Sequence, residues 1–358
     1  MVTFSQFLDA VQANPFLALV IVLVMGTIFV NGATDAANAI AEPIGTRAIG
    51  VDAAIWMSVI TNFLGLVGMT LFSTAVADTM SGMVDFGGDS HVALIALAAA
   101  TVSIVTWSSL AWVFGIPTSE SHALIAGLTG AAIAVHGGMS GVNMGEWVKV
   151  LYGLVLSTVL GFLAGWAIAK VIPYICRNAD RRSANEFFAK MQVWAAAGAS
   201  AMHGAQDGQK FMSIAMLGVV LALGMNGASG QYPLWIMAGC ALAMAIGSGI
   251  GGKRIIKSVS MGMVSLESYQ GFAASFAASV CLLLATLTGI PVSTTHTNTT
   301  AVMGSGAAKN TKAVQWGVAG NMVLTWVCTF PGCGIIGFLL AKLFAWAADN
   351  AYAFAALA

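Results

Sequence analysis

Residues 16–40 read FLALVIVLVMGTIFVNGATDAANAI, an apolar run that passes directly into Asn31, Thr34, Asp35 and Asn38. The run is long enough to enter a bilayer, and the polar residues at its end must then lie inside the membrane or at its far side. The rest of the chain has the same character. It is 58% hydrophobic and 8% charged, against about 25% charged in an ordinary soluble domain. Nearly uncharged apolar runs recur to the end of the sequence. With no ten-residue alternation that would suggest a barrel, helices are the element that satisfies every backbone group in lipid. The fold class is an all-α polytopic membrane protein with about 10–12 transmembrane helices. The run after Pro15 has no preceding Lys or Arg and no small-residue cleavage site, so it reads as a retained span rather than a signal peptide. The basic residues are too few and scattered for a nucleic-acid face. Cys176, Cys240, Cys281, Cys328 and Cys333 form no CxxC pair and read as small apolar fillers.

Orientation follows from Lys and Arg. Lys170, Arg177, Arg181, Arg182 and Lys190 crowd one connection, Lys253, Arg254 and Lys257 another, and Lys309 and Lys312 a third, so these should face the cytoplasm. The segment DTMSGMVDFGGDS, with Asp78, Asp85 and Asp89 and no cation, suits an outer loop. Crossing units are expected near 12–45, 53–77, 92–114, 118–136 and 147–170, and again near 192–225, 233–250, 259–287, 290–308 and 313–345. A first transmembrane repeat thus occupies 12–172 and a second 191–345, joined by a basic cytoplasmic connection at 173–190 with a short amphipathic helix. Five crossings per half invert the second half and leave both termini outside. The expected location is the cell (inner) membrane.

The two halves share polar motifs in the same order. Asp207, in MHGAQDGQK, lies 172 residues after Asp35, and GIPVSTTH (289–296) repeats GIPTSESH (115–122) at an offset of 174. Inverted repeats with broken helices near the midplane are the architecture of secondary transporters. In the second motif Gly and Pro interrupt the apolar run and open a new helix. The residues that follow, Thr118, Ser119 and Ser121 in one half and Ser293, Thr294 and Thr295 in the other, place hydroxyls beside helix N-terminal N–H groups, an oxyanion cradle that needs no buried Lys or Arg. Plain N-capping explains one such copy but not two symmetric ones. A carboxylate near the bilayer centre costs about 3 kcal/mol, which marks Asp35 and Asp207 as functional candidates. Asp35 with Thr34 and Asn38, and Asp207 with Gln206 and Gln209, offer hard oxygen ligands to a small cation such as sodium, or carboxylates that carry a proton; pairing of Asp207 with Lys210 is the structural alternative. Glu120 stands where the second copy has Thr294, and is expected either to face away and tune the helix dipole, the favoured reading, or to bind a proton or cation. Glu267 is a candidate for the path or the coupling site, Arg47 and Arg254 for the cytoplasmic mouth, and His122 and His296 for support behind the cradles.

GATDAANAI resembles the duplicated signature GANDVANA of the inorganic phosphate transporter (Pit) family; HGAQDGQKFM resembles its second copy, and GIPVSTTH and GGKRIIKSV match the family's wording. The resemblance covers nearly the whole chain. It implies sodium- or proton-coupled phosphate uptake, a homodimer and no cofactor, with Asp35, Asn38 and Asp207 serving the cation and Ser119, Ser121, Ser293, Thr294 and Thr295 the phosphate. Thr34 and Gln206 replace the Asn that usually precedes each aspartate. Phosphate, free or as a neutral metal complex, is favoured over sulfate because it still carries a proton near neutral pH, with a second pKa of about 6–7, and can donate to a carboxylate. A passive anion channel and an intramembrane hydrolase built on Ser119 or Ser121 with His122 are the rival classes. Adjacent helical residues point apart, and an enzyme has little use for two inverted copies, so no enzyme is expected.

Overall fold

The computed structural model describes residues 2–114, 118–225, 231–262 and 264–355, with the side chains of 112, 252–262, 313, 318 and 351–355 left aside. Gly115 and Pro117 of the first motif therefore lie outside the described residues, as do the side chains of Lys253, Arg254 and Lys257. The described chain is built from α-helices without a named strand. Helix α1 spans Phe4–Ala13, α2 Phe16–Thr34, α3 Ala41–Gly45, α4 Val51–Phe72, α5 Ala75–Ser81, α6 Ser90–Phe114, α7 Glu120–His136 and α8 Met144–Ile175. The second half follows as α9 Arg181–Ala222, α10 Leu234–Gly262, α11 Ser268–Leu287, α12 Thr294–Lys309 and α13 Trp316–Ala355.

Seven segments are long and apolar enough to cross a membrane: Phe16–Gly45, Val51–Phe72, Ser90–Ala111, Met144–Ile175, Leu234–Gly251, Ser268–Leu287 and Ala319–Asn350. This is a multi-pass membrane protein. Three expected crossing units coincide instead with α7, α9 and α12, whose sequences are too polar or too short for that test. Burial explains the difference. From Thr294 to Ala308 every residue of α12 is buried, as is most of α7, so these helices face protein rather than lipid and need not be apolar all round.

Helix ends follow local chemistry. Asn143 caps α8 through its side-chain oxygen, which accepts from the N–H groups of Gly145 and Glu146. Asp180 caps α9 by accepting from Ser183 N at 2.9 Å, and the Ser183 N–H and hydroxyl hold this exposed carboxyl below its ordinary value. The connection drawn at 173–190 is accordingly mostly helix: α8 continues through Pro173 to Ile175, and α9 takes up Arg181, Arg182 and Lys190, leaving Arg177 in the turn between them. The unit drawn at 53–77 likewise ends at Phe72, with α5 a separate short helix against α9.

Packing crosses between the halves. Helix α2 packs on α10 and α9 on α4, while α7 packs on α13 and α12 on α8. Each half therefore lends its last long helix to the other. Glycines permit the crossings. A Cβ on Gly32 would stand 2.2 Å from the Met244 carbonyl oxygen, and one on Gly204, 172 residues on, 2.2 Å from that of Asn62. Gly130 and Gly304 repeat the device at 2.0 Å from the carbonyls of Gly334 and Phe162. Backbones can approach this closely only where a side chain is missing. All five cysteines are free thiols.

The crossing of α12 and α8 gives a stability prediction. Gly304→Val should lower the thermal unfolding midpoint of the detergent-solubilised protein, overpacking being worth about 1–3 kcal/mol. Gly68→Ala, at a position with nothing within 4 Å, should not. Equal midpoints for the two variants would refute the close approach.

Candidate functional site

The two hydroxyl motifs meet inside the bundle. Ser119, the N-cap of α7, and Ser293, the N-cap of α12, are joined by an Oγ···Oγ hydrogen bond of 2.8 Å. Each also accepts from the N–H three residues on, His122 or His296. Two helix N-termini thus abut, each bringing its first-turn N–H groups and the positive end of its dipole. Thr118 is buried next to Ser119. Behind the contact the rings of His122 and His296 lie edge to face, 4.4 Å between centroids, with Phe330 stacked on the first and Trp326 on the second.

The carboxylates sit against the same two helix starts. Asp35 closes α2, where the α-helix tightens to a 3-10 turn over Ala36–Ile40. Asp35 Oδ2 accepts from Thr295 Oγ1 at 3.0 Å, and Asn38 Nδ2 donates to the same hydroxyl oxygen at 3.2 Å. Asp207 lies on α9, which runs through it without a break, so the two signature segments differ in backbone. Asp207 accepts from Thr294 Oγ1 at 2.9 Å, from Ser121 Oγ at 3.4 Å, from Asn31 Nδ2 at 3.2 Å and from Lys210 Nζ at 2.7 Å. His203 Nε2 is 3.4 Å from its Oδ2, and His203 Nδ1 is 2.6 Å from Asn62 Oδ1. Asp35, Asn38, Asp207, Ser121, Thr294 and Thr295 are therefore in one buried cluster.

Other candidates are placed differently. Thr34 donates to Glu120 Oε1 at 2.6 Å rather than to Asp35. Gln206 turns to the carbonyl of Ile290, at 3.3 Å, and leaves its own oxygen buried and unpartnered. Glu120 does not face away: it is 1% exposed and neighbours the charge of Asp35, so burial within the cluster overrides the dipole argument. Glu267 is at the surface, ion-paired with Lys309, because it starts α11 beside the end of α12. It takes no part in the cluster. Arg47 is exposed after α3. His122 Nδ1 meets the Trp326 carbonyl at 3.3 Å and its Nε2 has no partner, so no Ser–His dyad exists.

Asn31 and His203 enter the cluster as residues not expected to line it, and Lys210 makes the pairing with Asp207 given above as the structural alternative. Their spacing held the signal: Asn31 and His203 each precede an aspartate by four positions, and Lys210 follows one by three, all on the face of the aspartate along a helix.

The sequence profile of the phosphate transporter family matches residues 31–337. A Bacillus subtilis (strain 168) protein described as a probable low-affinity inorganic phosphate transporter is 32% identical over 330 residues, 91% of this chain and 97% of that one. A Rhizobium meliloti (strain 1021) protein of the same description is 35% identical over 93% of this chain and 97% of its own length. A solved structure titled "The sodium-dependent phosphate transporter" shares the fold, with a TM-score of 0.83 at 21% identity over 93% of this chain and 99% of that one. The family is one of transporters, not enzymes. With its duplicated motifs converging on one buried cluster, this chain belongs to the phosphate transporter family.

Proposed function

We propose that the protein imports inorganic phosphate across the cell membrane as a cation-coupled symporter working by alternating access. The observation that carries this reading is the Ser119–Ser293 contact, which sets two helix N-termini against each other beside buried carboxylates. Donors from both helix starts suit a tetrahedral oxyanion. The family membership and the descriptions of the relatives support phosphate as the substrate, and the repeated motifs support two inverted repeats, 12–172 and 191–345. In this reading both termini are outside, the basic connection is cytoplasmic, and two copies form a homodimer.

The hydrogen-bond pattern suggests how cation and anion are linked. Ser121 and Thr294 donate to Asp207, and Thr295 donates to Asp35. A hydroxyl has one proton to give, so a carboxylate and a phosphate compete for it. A sodium ion or proton on the carboxylate removes that competitor, and the freed hydroxyls turn to the anion. The cation thereby raises phosphate affinity and phosphate raises cation affinity, the reciprocity that coupling requires. Asp35 and Asn38 on one side and Asp207 on the other are the coupling residues, with Thr34 reaching the site only through Glu120 and Gln206 turned away from it, and Thr118, Ser119, Ser121, Ser293, Thr294 and Thr295 form the phosphate cradle.

Radiolabelled phosphate uptake into proteoliposomes, with inward sodium and proton gradients imposed separately, tests the proposal. Accumulation against a gradient, competed weakly by sulfate, is expected; equilibration without accumulation would identify a channel, and stronger competition by sulfate a sulfate permease. Magnesium withdrawal distinguishes a metal–phosphate complex from the free anion. Asp35→Asn and Asp207→Asn should abolish driven uptake while the chain remains inserted, and normal accumulation by both would refute their role. Ser293→Ala should raise the KM for phosphate by about 10- to 150-fold, the equivalent of about 1.5–3 kcal/mol for a hydrogen bond to a charged group; an unchanged KM would remove Ser293 from the cradle.

A further inference from the structure

The two halves of the cluster repeat the same triangle with one substitution. In the first half, the residue three after the aspartate is Asn38, whose amide donates to Thr295, which donates to Asp35. In the second half the same position is Lys210. Its ammonium donates to Ser121, the counterpart of Thr295 at an offset of 174, and to Asp207 itself. An amide in one copy is thus a cation in the other. A second exchange reinforces the first. Next to Asp207 the helix start supplies the neutral hydroxyl of Thr294, while at the matching place near Asp35 it supplies Glu120, whose Oε2 is buried without a hydrogen-bond partner.

The surroundings of Lys210 Nζ are those of a small bound cation. It is fully buried, and its three protons go to a carboxylate oxygen at 2.7 Å, a hydroxyl oxygen at 2.8 Å and the backbone carbonyl of Val292. Carboxylate, hydroxyl and carbonyl oxygens are the hard ligands an alkali cation takes. With all three ammonium protons used, the side chain has no donor left for phosphate. If every acid is ionised, Asp207 and Lys210 sum to zero charge, while Asp35 and Glu120 carry two negative charges and no cation.

We infer that Lys210 is a tethered cation, occupying in the Asp207 half the place a mobile coupling ion takes in the Asp35 half, so that one cation and not a symmetric pair accompanies each phosphate. The inference rests on the coupled-transport reading above. Lys210 is on this account a positioning residue: it keeps a positive charge against Asp207 and Ser121 permanently. The Asp35–Glu120 side alone cycles between empty and loaded.

The test is the number of cations and the net charge moved per phosphate in proteoliposomes, from the cation dependence of [32P]phosphate uptake and from current recorded on the same vesicles. Sodium is titrated at fixed pH, and protons in its absence. Wild-type protein should show a Hill coefficient of about 1 for the driving cation, and Lys210→Asn, which restores the residue of the first copy, a coefficient of up to about 2 with one more positive charge per phosphate. Lys210→Arg, retaining the charge, should keep the wild-type cation order at a lower rate. An unchanged coefficient and charge ratio in Lys210→Asn would overturn the inference. Two cations per phosphate in the wild type would overturn it as well, whether or not the variant folds. Wild-type uptake that neither gradient drives would instead defeat the coupling reading itself, and this inference with it.

Discussion

The hydrogen bond between Ser119 and Ser293 is the point on which the interior depends. Helices α7 and α12 begin there, and bringing their positive ends together would be unfavourable without anions close by. Asp35, Glu120 and Asp207 supply them. Asp35 and Asp207, costly in a membrane by themselves, are in turn satisfied by Thr295 and Thr294 of one of those helix starts, and Asp207 also by Lys210. Neither set of groups is tolerable at this depth without the other. The surrounding helices exclude lipid from the arrangement, and the glycine crossings bring them close enough to do so.

That mutual dependence also accounts for which expectations hold. Asp35, Asp207 and the Ser/Thr clusters were legible because a polar residue in an apolar run has no structural excuse, and because each occurred twice. The helical membrane fold was legible from composition for the segments that meet lipid. Helix α9 was expected near 192–225, but its start at Arg181 and its protein-facing role were not legible: His203, Gln206, Asp207, Gln209 and Lys210 are all fully buried within one polar stretch. Glu120 was misread for a related reason. An acid in the first turn of a helix is favourable whichever way it points, and only the position of Thr34, 86 residues earlier, draws it inward.

Long-range pairing is the other part that spacing does not encode. Nothing local to Asn31 says that its amide reaches Asp207 rather than Asp35. Gln206, adjacent to an aspartate in the chain, turns instead to the carbonyl of Ile290. Helical neighbours at one position point to different sides, so adjacency along the chain is poor evidence of shared function. Glu267 makes the same point from outside: an acid near a polar segment is, in three dimensions, a surface partner of Lys309.

The exchange of last helices between the halves bears on how the chain is made. A polar helix such as α12 is a poor substrate for insertion into lipid unless a partner is already there to cover it. Its cover, α8, is synthesised well before it, so α12 emerges beside a waiting surface and tolerates a sequence as polar as TTHTNTT. Helix α7 has a different history. One of its covers, α6, is made before it and the other, α13, after it, and α7 is the more apolar of the two helices, with ALIAGLTGAAIAV after its first turn. The difference in composition between two otherwise matching helices thus runs parallel to the order in which their neighbours are made.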